Sequence, residues 1–290
     1  MNTPLISIII PTYNHAHLIK KCLQSIADQK FQGWEAIVVN NYSTDDTIKV
    51  VESFSDTRIK LINFHNNGVI AAARNEGIRN AKSDWIAFLD SDDWWYPSKL
   101  VEILSLIKEN DVIYHNLDVH SPSGRRMKTI KGRHFRSPIF DDLLTRGNQL
   151  PNSSAVIRKS LVEKVEFLSE DPDLFAFEDL DLWLKVSKVT ERFCYLNRSL
   201  GAYWVSNENH SIASRKSIER TKYLYANHLS SVSRDSLKSA QALLNYLVTR
   251  ERMLCGDRDL FFDFFKSLHH LKRLKFFFNS ILFGILSLLK

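Results

Sequence analysis

The sequence predicts an α/β fold, a mainly parallel central sheet flanked by helices and followed by a helical C-terminal extension. Three observations carry this expectation. Short apolar runs of strand length alternate with stretches of helical apolar spacing over the first hundred residues. Polar, turn-forming segments follow the runs, as they do at the ligand-binding edge of an open parallel sheet. Beyond about residue 214 the strand pattern gives way to helical spacing and the charge balance changes sign.

Leu5 to Ile10 is a β-branched run ended by Pro11, and Leu18, Ile19, Cys22, Leu23 and Ile26 then recur at helical spacing. Glu35 to Val39 reads as a second strand, Asp45 and Asp46 as caps for a helix beginning near Thr47, and Ile59 to Ile62 as a third strand. Gly68 precedes a helix through Ala71 to Ala81, and Trp85 to Leu89 is the fourth strand. Ser153 to Arg158 reads as a further strand, and Val119 to Arg136 as a basic stretch, either a loop that attracts a diphosphate or a solvated hairpin around Ser123 and Gly124. Ile218, Tyr223 to Tyr225 and Leu229 suggest one late helix, and Leu237, Leu243, Leu244 and Leu247 another. The expected division is a catalytic domain over 1–214, with a donor half to about 118 and an acceptor half from 119, and an extension over 215–290.

Three strand-end loops carry the chemistry: PTYN (Pro11, Thr12, Tyr13, Asn14), NNYSTDD from Asn40 and Asn41 to Asp46, and DSDD (Asp90, Ser91, Asp92, Asp93). Right-handed crossovers should bring all three to one sheet edge. Carboxylates packed this closely repel one another unless a cation or hydrogen-bond donors compensate, so a divalent metal carrying a diphosphate is the natural partner. The plainer alternative is an acidic turn capping the helix that starts near Pro97, and Asp93 suits that role.

The segments SIIIPTYN, VVNNYSTDDT, AARNEGI, FLDSDDWW and FEDLDLWLKVS together resemble the family 2 glycosyltransferases, in that family's order, over about residues 5 to 210. The resemblance implies a GT-A (Rossmann-like) fold, a nucleotide-diphosphate sugar donor, Mg²⁺ or Mn²⁺, and inversion at the anomeric carbon. In that role Asp92 is expected to ligate the metal and Asp90 either to hydrogen-bond the donor ribose or to assist the metal, and the resemblance makes Asp179 the general base that takes the acceptor hydroxyl proton. Glu178 is expected to bind acceptor or support the loop, as is Trp95, and Asp181 to favour the helix N-terminus. Arg74 either forks onto diphosphate oxygens or pairs with a nearby acid. Asn40 and Asn41 stand where the family usually has two acids, and Tyr42 where it has glycine, which leaves the donor base open between uracil and another. Tyr42 either stacks on that base or covers the sheet edge. In LGAYWVSNENHSI, Trp204 and Ser206 occupy the family's arginine and histidine positions, with His210 beyond as a candidate substitute.

Length and composition set the remaining limits. A chain of 290 residues with 44% hydrophobic content is globular. The net charge of +6 divides into −2 over 1–214 and +8 over 215–290, which points to an anionic neighbour. Zinc-finger spacing and RNP-like aromatic patterns are absent, so nucleic acid is not the expected partner. Cys22, Cys194 and Cys255 show no metal-ligand spacing and suit a reducing, cytoplasmic compartment, and no signal peptide is expected. The apolar stretch Phe276 to Leu289 is short for a bilayer span, so it is expected to lie in the inner membrane interface beside Lys266, Lys272, Arg273 and Lys275, or else to pack on protein, a partner copy included. The function expected is inverting, metal-dependent transfer from a UDP-sugar to a growing, lipid-linked surface glycan. Nucleotidyl transfer and a silent scaffold of a glycan-assembly complex are the alternatives.

Overall fold

The computed structural model describes residues 4–205 and 214–257, which form two compact units. Of the described residues, the first comprises 4–134, 149–170 and 189–205 and contains the sheet; the second comprises 135–148, 171–188 and 214–257.

In the sheet unit, strands β1 (Ile6–Thr12), β2 (Trp34–Asn40), β3 (Ile59–Asn63) and β4 (Trp85–Phe88) pair in parallel in the order β3-β2-β1-β4. Helices α1 (Ala16–Ala27), α2 (Thr47–Glu52) and α3 (Ile70–Asn80) form the crossovers. Every residue of β1 and β2 is buried, as expected of parallel strands covered on both faces. The strand β1 runs through Pro11 to Thr12, two residues past the end expected from sequence. Pro11 is tolerated because β4 stops opposite Ile9 on that side, so its missing N–H deprives no ladder partner. On α3, Gly77 lets the helix lie against the sheet, since a Cβ there would meet Ile9 at 2.6 Å.

Past β4 the sheet becomes mixed. After β5 (Trp94–Trp95) and α4 (Lys99–Leu104) come β6 (Val112–His120) and its hairpin partner β7 (Arg126–Ile130). The stretch from Val119 is thus a hairpin. In the helical unit α5 (Ile139–Arg146) follows, and in the sheet unit β8 (Val156–Arg158) pairs antiparallel with both β4 and β6, and α6 (Lys159–Lys164) closes that segment. The expected strand from Ser153 is shorter because Asn152–Ser154 form a 3₁₀ turn.

The helical unit continues with α7 (Glu178–Ser187) and, after β9 (Phe193–Trp204) of the sheet, with α8 (Arg215–His228) and α9 (Arg234–Leu254). Ser214 caps α8 through a reciprocal capping box with Ser217. Leu143, Leu182, Trp183, Leu224, Leu243 and Tyr246 are buried in this unit, so Trp183 packs in a core. Its Tyr225 hydroxyl donates to the Leu144 carbonyl at 3.2 Å, which joins α8 to α5. Ser206, His210 and the segment 276–289 lie outside the described residues.

Candidate active site

The loops after β1, β2 and β3 are laced into one rim at the carboxyl edge of the parallel strands. The Asn14 N–H donates to Ser43 Oγ at 2.9 Å, and Asn14 Oδ1 accepts from the Thr44 N–H at 2.8 Å. The His15 N–H donates to Thr47 Oγ1 and the Ala16 N–H to Asp45 Oδ2, so α1 and α2 begin from shared contacts. Asp46 is the N-cap of α2 without a side-chain cap bond, and the preceding Asp45 accepts from the Thr47 N–H at 2.9 Å. The acidic turn after β4 joins through Ser91, whose hydroxyl lies 2.7 Å from His15 Nδ1. All three chemistry-bearing loops therefore meet, as right-handed crossovers require.

Asn40 lies within this rim, fully buried. Its Oδ1 accepts from Ser43 N–H and Oγ–H, and its Nδ2 donates to Asn63 Oδ1 at 2.7 Å. These three bonds use the amide to hold the loop from within. Asn41 is half-buried, and its Oδ1 accepts from the Asn66 N–H at 3.1 Å. Pro11 and Thr12 are buried beneath the rim, whereas Tyr13 and Tyr42 are 52% and 56% exposed on it. Tyr42 holds φ at +51°, the left-handed conformation that glycine adopts without strain, and its ring meets His65 edge to face at 5.9 Å.

The acidic turn is braced from behind. The Asp90 N–H donates to Ser153 Oγ at 3.1 Å, while Ser153 O accepts from Trp95 Nε1 at 2.8 Å and from Lys99 Nζ at 3.1 Å. Lys99 is fully buried over the Trp95 ring, 3.4 Å from its centroid. Trp95 is consequently a support of the turn with no open face for a sugar. Asp93 is buried as well and accepts from the Trp204 N–H at 2.9 Å. It does not cap α4, whose N-cap is Ser98. Arg74, 4% exposed, donates to Asp90 Oδ1 at 2.8 Å.

These placements set the electrostatics. Burial, and after it the charge of Asp90, pushes the Asp92 carboxyl up to about 7. Asp93 is raised well above the carboxylate range by burial and by Asp92 and Asp90. Burial lowers the Lys99 ammonium well below its usual value, partly opposed by Asp93. Among the described residues no cluster of three His, Cys, Asp or Glu forms a self-contained metal cage. The turn instead fits a cation that takes one or two protein carboxylates and completes its shell with substrate oxygens, because a bound charge would relieve the repulsion raising Asp92. Asp92 and Asp90 are the residues that would hold it.

In the helical unit, Glu178, Asp179 and Asp181 form the first turn of α7, where the helix dipole favours negative charge. Asp179 is half-buried and its Oδ1 accepts from the Leu180 N–H at 2.7 Å; Glu178 is buried. Asp181 does more than favour the helix start, since it lies 2.8 Å from His228 Nε2 and 3.2 Å from Lys185 Nζ. Sequence reasoning missed Lys99, Ser153 and His15 as parts of the acidic turn's support. The one available signal for Lys99 was its place in the apolar repeat with Leu100 and Ile103.

A mixed α/β sheet whose parallel-strand loops gather around an acidic turn is the arrangement of the GT-A fold. The chain belongs to glycosyl transferase family 2, whose model matches residues 7–165, and it is a glycosyltransferase. It is 27% identical over 226 residues to "Putative teichuronic acid biosynthesis glycosyltransferase TuaG" of Bacillus subtilis (strain 168), covering 77% of this chain and 87% of the relative. It is 38% identical over 121 residues, 41% of this chain and 48% of the other, to "UDP-Glc:alpha-D-GlcNAc-diphosphoundecaprenol beta-1,3-glucosyltransferase WfgD" of Escherichia coli. The fold is shared with S. aureus TarS 1-349 in complex with UDP-GlcNAc, at TM-score 0.67 and 19% identity over 91% of this chain and 79% of that one. It is shared also with the mannosyltransferase PcManGT from Pyrobaculum calidifontis in complex with GDP-Man and Mn²⁺, at TM-score 0.58 and 15% identity over 100% and 87%.

Proposed function

We propose that this glycosyltransferase moves a sugar, with inversion, from a nucleotide-diphosphate sugar to a hydroxyl of a growing surface glycan. The observation that carries the reading is the braced acidic turn at the sheet edge, with Asp92 and Asp90 on it and Arg74 and Ser153 holding it. Asp92 with Asp90 would hold Mg²⁺ or Mn²⁺, and when bound the cation would neutralise charge on the departing nucleoside diphosphate. Arg74 fixes the Asp90 carboxylate, and His15 fixes Ser91. The exposed Tyr13 and Tyr42, with Asn41, form the base-facing part of the rim.

In the transfer, Asp179 takes the proton of the acceptor hydroxyl as that oxygen bonds to the anomeric carbon from the side opposite the diphosphate. The bond from that carbon to the diphosphate oxygen breaks, and its electron pair leaves with the nucleoside diphosphate. Glu178 supports the acceptor side. A UDP-sugar donor and a lipid-linked acceptor are supported by the similarity to the Escherichia coli UDP-Glc:alpha-D-GlcNAc-diphosphoundecaprenol beta-1,3-glucosyltransferase. The place of work in this reading is the cytoplasmic face of the membrane, which the basic C-terminal region supports.

The test is a thermal-shift screen of the purified protein against UDP-, GDP-, dTDP- and CMP-sugars with and without Mn²⁺. Metal-dependent stabilisation by one nucleotide is expected. A folded sample that responds to none would instead favour a silent scaffold.

A further inference from the structure

The β6–β7 hairpin has no part in the donor rim, and its composition is unlike the rest of the chain. Residues 121–134 contain Arg125, Arg126, Lys128, Lys131 and Arg133 and not one Asp or Glu. Arg126 is braced, donating to Asp118 Oδ1 at 3.0 Å and Thr129 Oγ1 at 3.1 Å. Arg125, Lys128 and Lys131 are exposed and have no ion pair among the described residues. Among the described residues β7 pairs with β6 alone, so its outer edge has no strand partner there.

Between the pairs Val119–Lys128 and His120–Arg126 the register skips Met127. Bulges of this kind re-aim a side chain and twist an edge. Met127 stands 62% exposed, flanked by Arg126 and Lys128. Cations alone would be explained as protection of an open edge against strand pairing. That account does not explain an apolar side chain released at the centre of the basic strip.

We propose that this hairpin tip docks on an anionic phospholipid surface, with Arg125, Lys128 and Lys131 against headgroup phosphates and Met127 entering the interface. Charge complementarity selects the partner. A second copy of the chain would bring like charge to like charge, and residues 121–131 offer no aromatic ring on which a nucleic-acid base could stack. Each cation held near such a surface contributes about a fivefold factor in affinity, so three exposed cations suffice for reversible attachment. This deepens the membrane placement proposed above and rests on it.

The experiment is co-sedimentation of the full chain with vesicles of phosphatidylglycerol and phosphatidylcholine, and with phosphatidylcholine alone. Binding is expected only to the anionic vesicles and to weaken with salt. The double substitution Arg125→Glu with Lys128→Glu is expected to weaken it by at least about tenfold, and Met127→Ser by about threefold. All three side chains are exposed, and the donor-dependent thermal shift of each variant reports folding and donor binding separately, so failure of the membrane reading is distinguishable from failure of the transfer reading. Unchanged affinity of the double variant for anionic vesicles overturns the proposal, as does equal binding to phosphatidylcholine or binding to a DNA oligonucleotide without binding to vesicles.

Discussion

Arg74, almost wholly buried on α3, donates to the Asp90 carboxylate at 2.8 Å and so ties a crossover helix to the acidic turn. Arg74→Met removes a charge-assisted bond and leaves Asp90 without this partner. The variant should lose about 1–3 kcal/mol of stability, given that Asp90 keeps some solvent contact. Urea unfolding measures this, and a loss below a few tenths would show that the pair is not a support.

Lys99 and Asp93 are buried ionisable groups behind the same turn, and burial opposes ionisation of both. Lys99→Met should cost about 1–3 kcal/mol because it takes one donor from the buried Ser153 carbonyl and a nearby basic group from Asp93. Adding Asp93→Asn should return at least half of that loss. A double-mutant cycle by urea unfolding gives the coupling; strictly additive losses would mean that the two groups act independently.

Tyr42 keeps a left-handed backbone at φ +51°. Strain of about 1–2 kcal/mol is relieved in Tyr42→Gly, against a smaller entropic loss in the unfolded chain. The variant should be as stable as the parent or up to about 1 kcal/mol more so, while its donor affinity falls if the ring faces the base. A destabilised Tyr42→Gly by thermal melting would show that the ring packs for stability.

In the helical unit, burial works to raise the Asp181 carboxyl, but the hydrogen bond to His228 and the charge of Lys185 outweigh it and hold it below 3.8. A depressed carboxylate contributes stability above its unfolded pKa, and that contribution is lost as pH falls through the folded value. His228→Phe should therefore cost about 1–3 kcal/mol at pH 7, with the gap to the parent closing below about pH 4. Parallel urea series at several pH values decide it; a gap independent of pH would assign the effect to packing.

Two substitutions separate binding from chemistry. Asp179→Asn should preserve the donor-dependent thermal shift and reduce turnover at least about a hundredfold. Asp92→Ala should abolish the metal dependence of the shift. Near-normal turnover in the first, or an unaltered Mn²⁺ response in the second, removes that residue from its role.

The alternation of strands and helices in the first hundred residues was legible because each element announces itself within its own few residues. Ile6 to Ile10 are apolar except for Ser7, and the α1 stripe repeats at helical spacing. The convergence of the PTYN, NNYSTDD and DSDD loops was legible too, because parallel strands joined by crossover helices put every such loop at one edge. Beyond Leu89 local pattern was a weaker guide. The strand from Ser153 proved shorter, and the sheet turned mixed, because β8 takes its direction from β4 and β6 and not from its own residues.

Residue types and their spacing thus determined by themselves that this chain folds as an α/β sheet with an acidic, metal-compatible edge, since hydrophobic period and turn chemistry are local properties. Only the tertiary structure decided which polar groups are already taken. Asn40 is spent on Ser43 and Asn63, Asp93 is bound by Trp204 from 111 positions away, and Lys99 lies under the turn instead of in solvent. The physical reason is that a buried polar group must find a partner wherever the closed chain brings one, and no local pattern records which distant residue that will be.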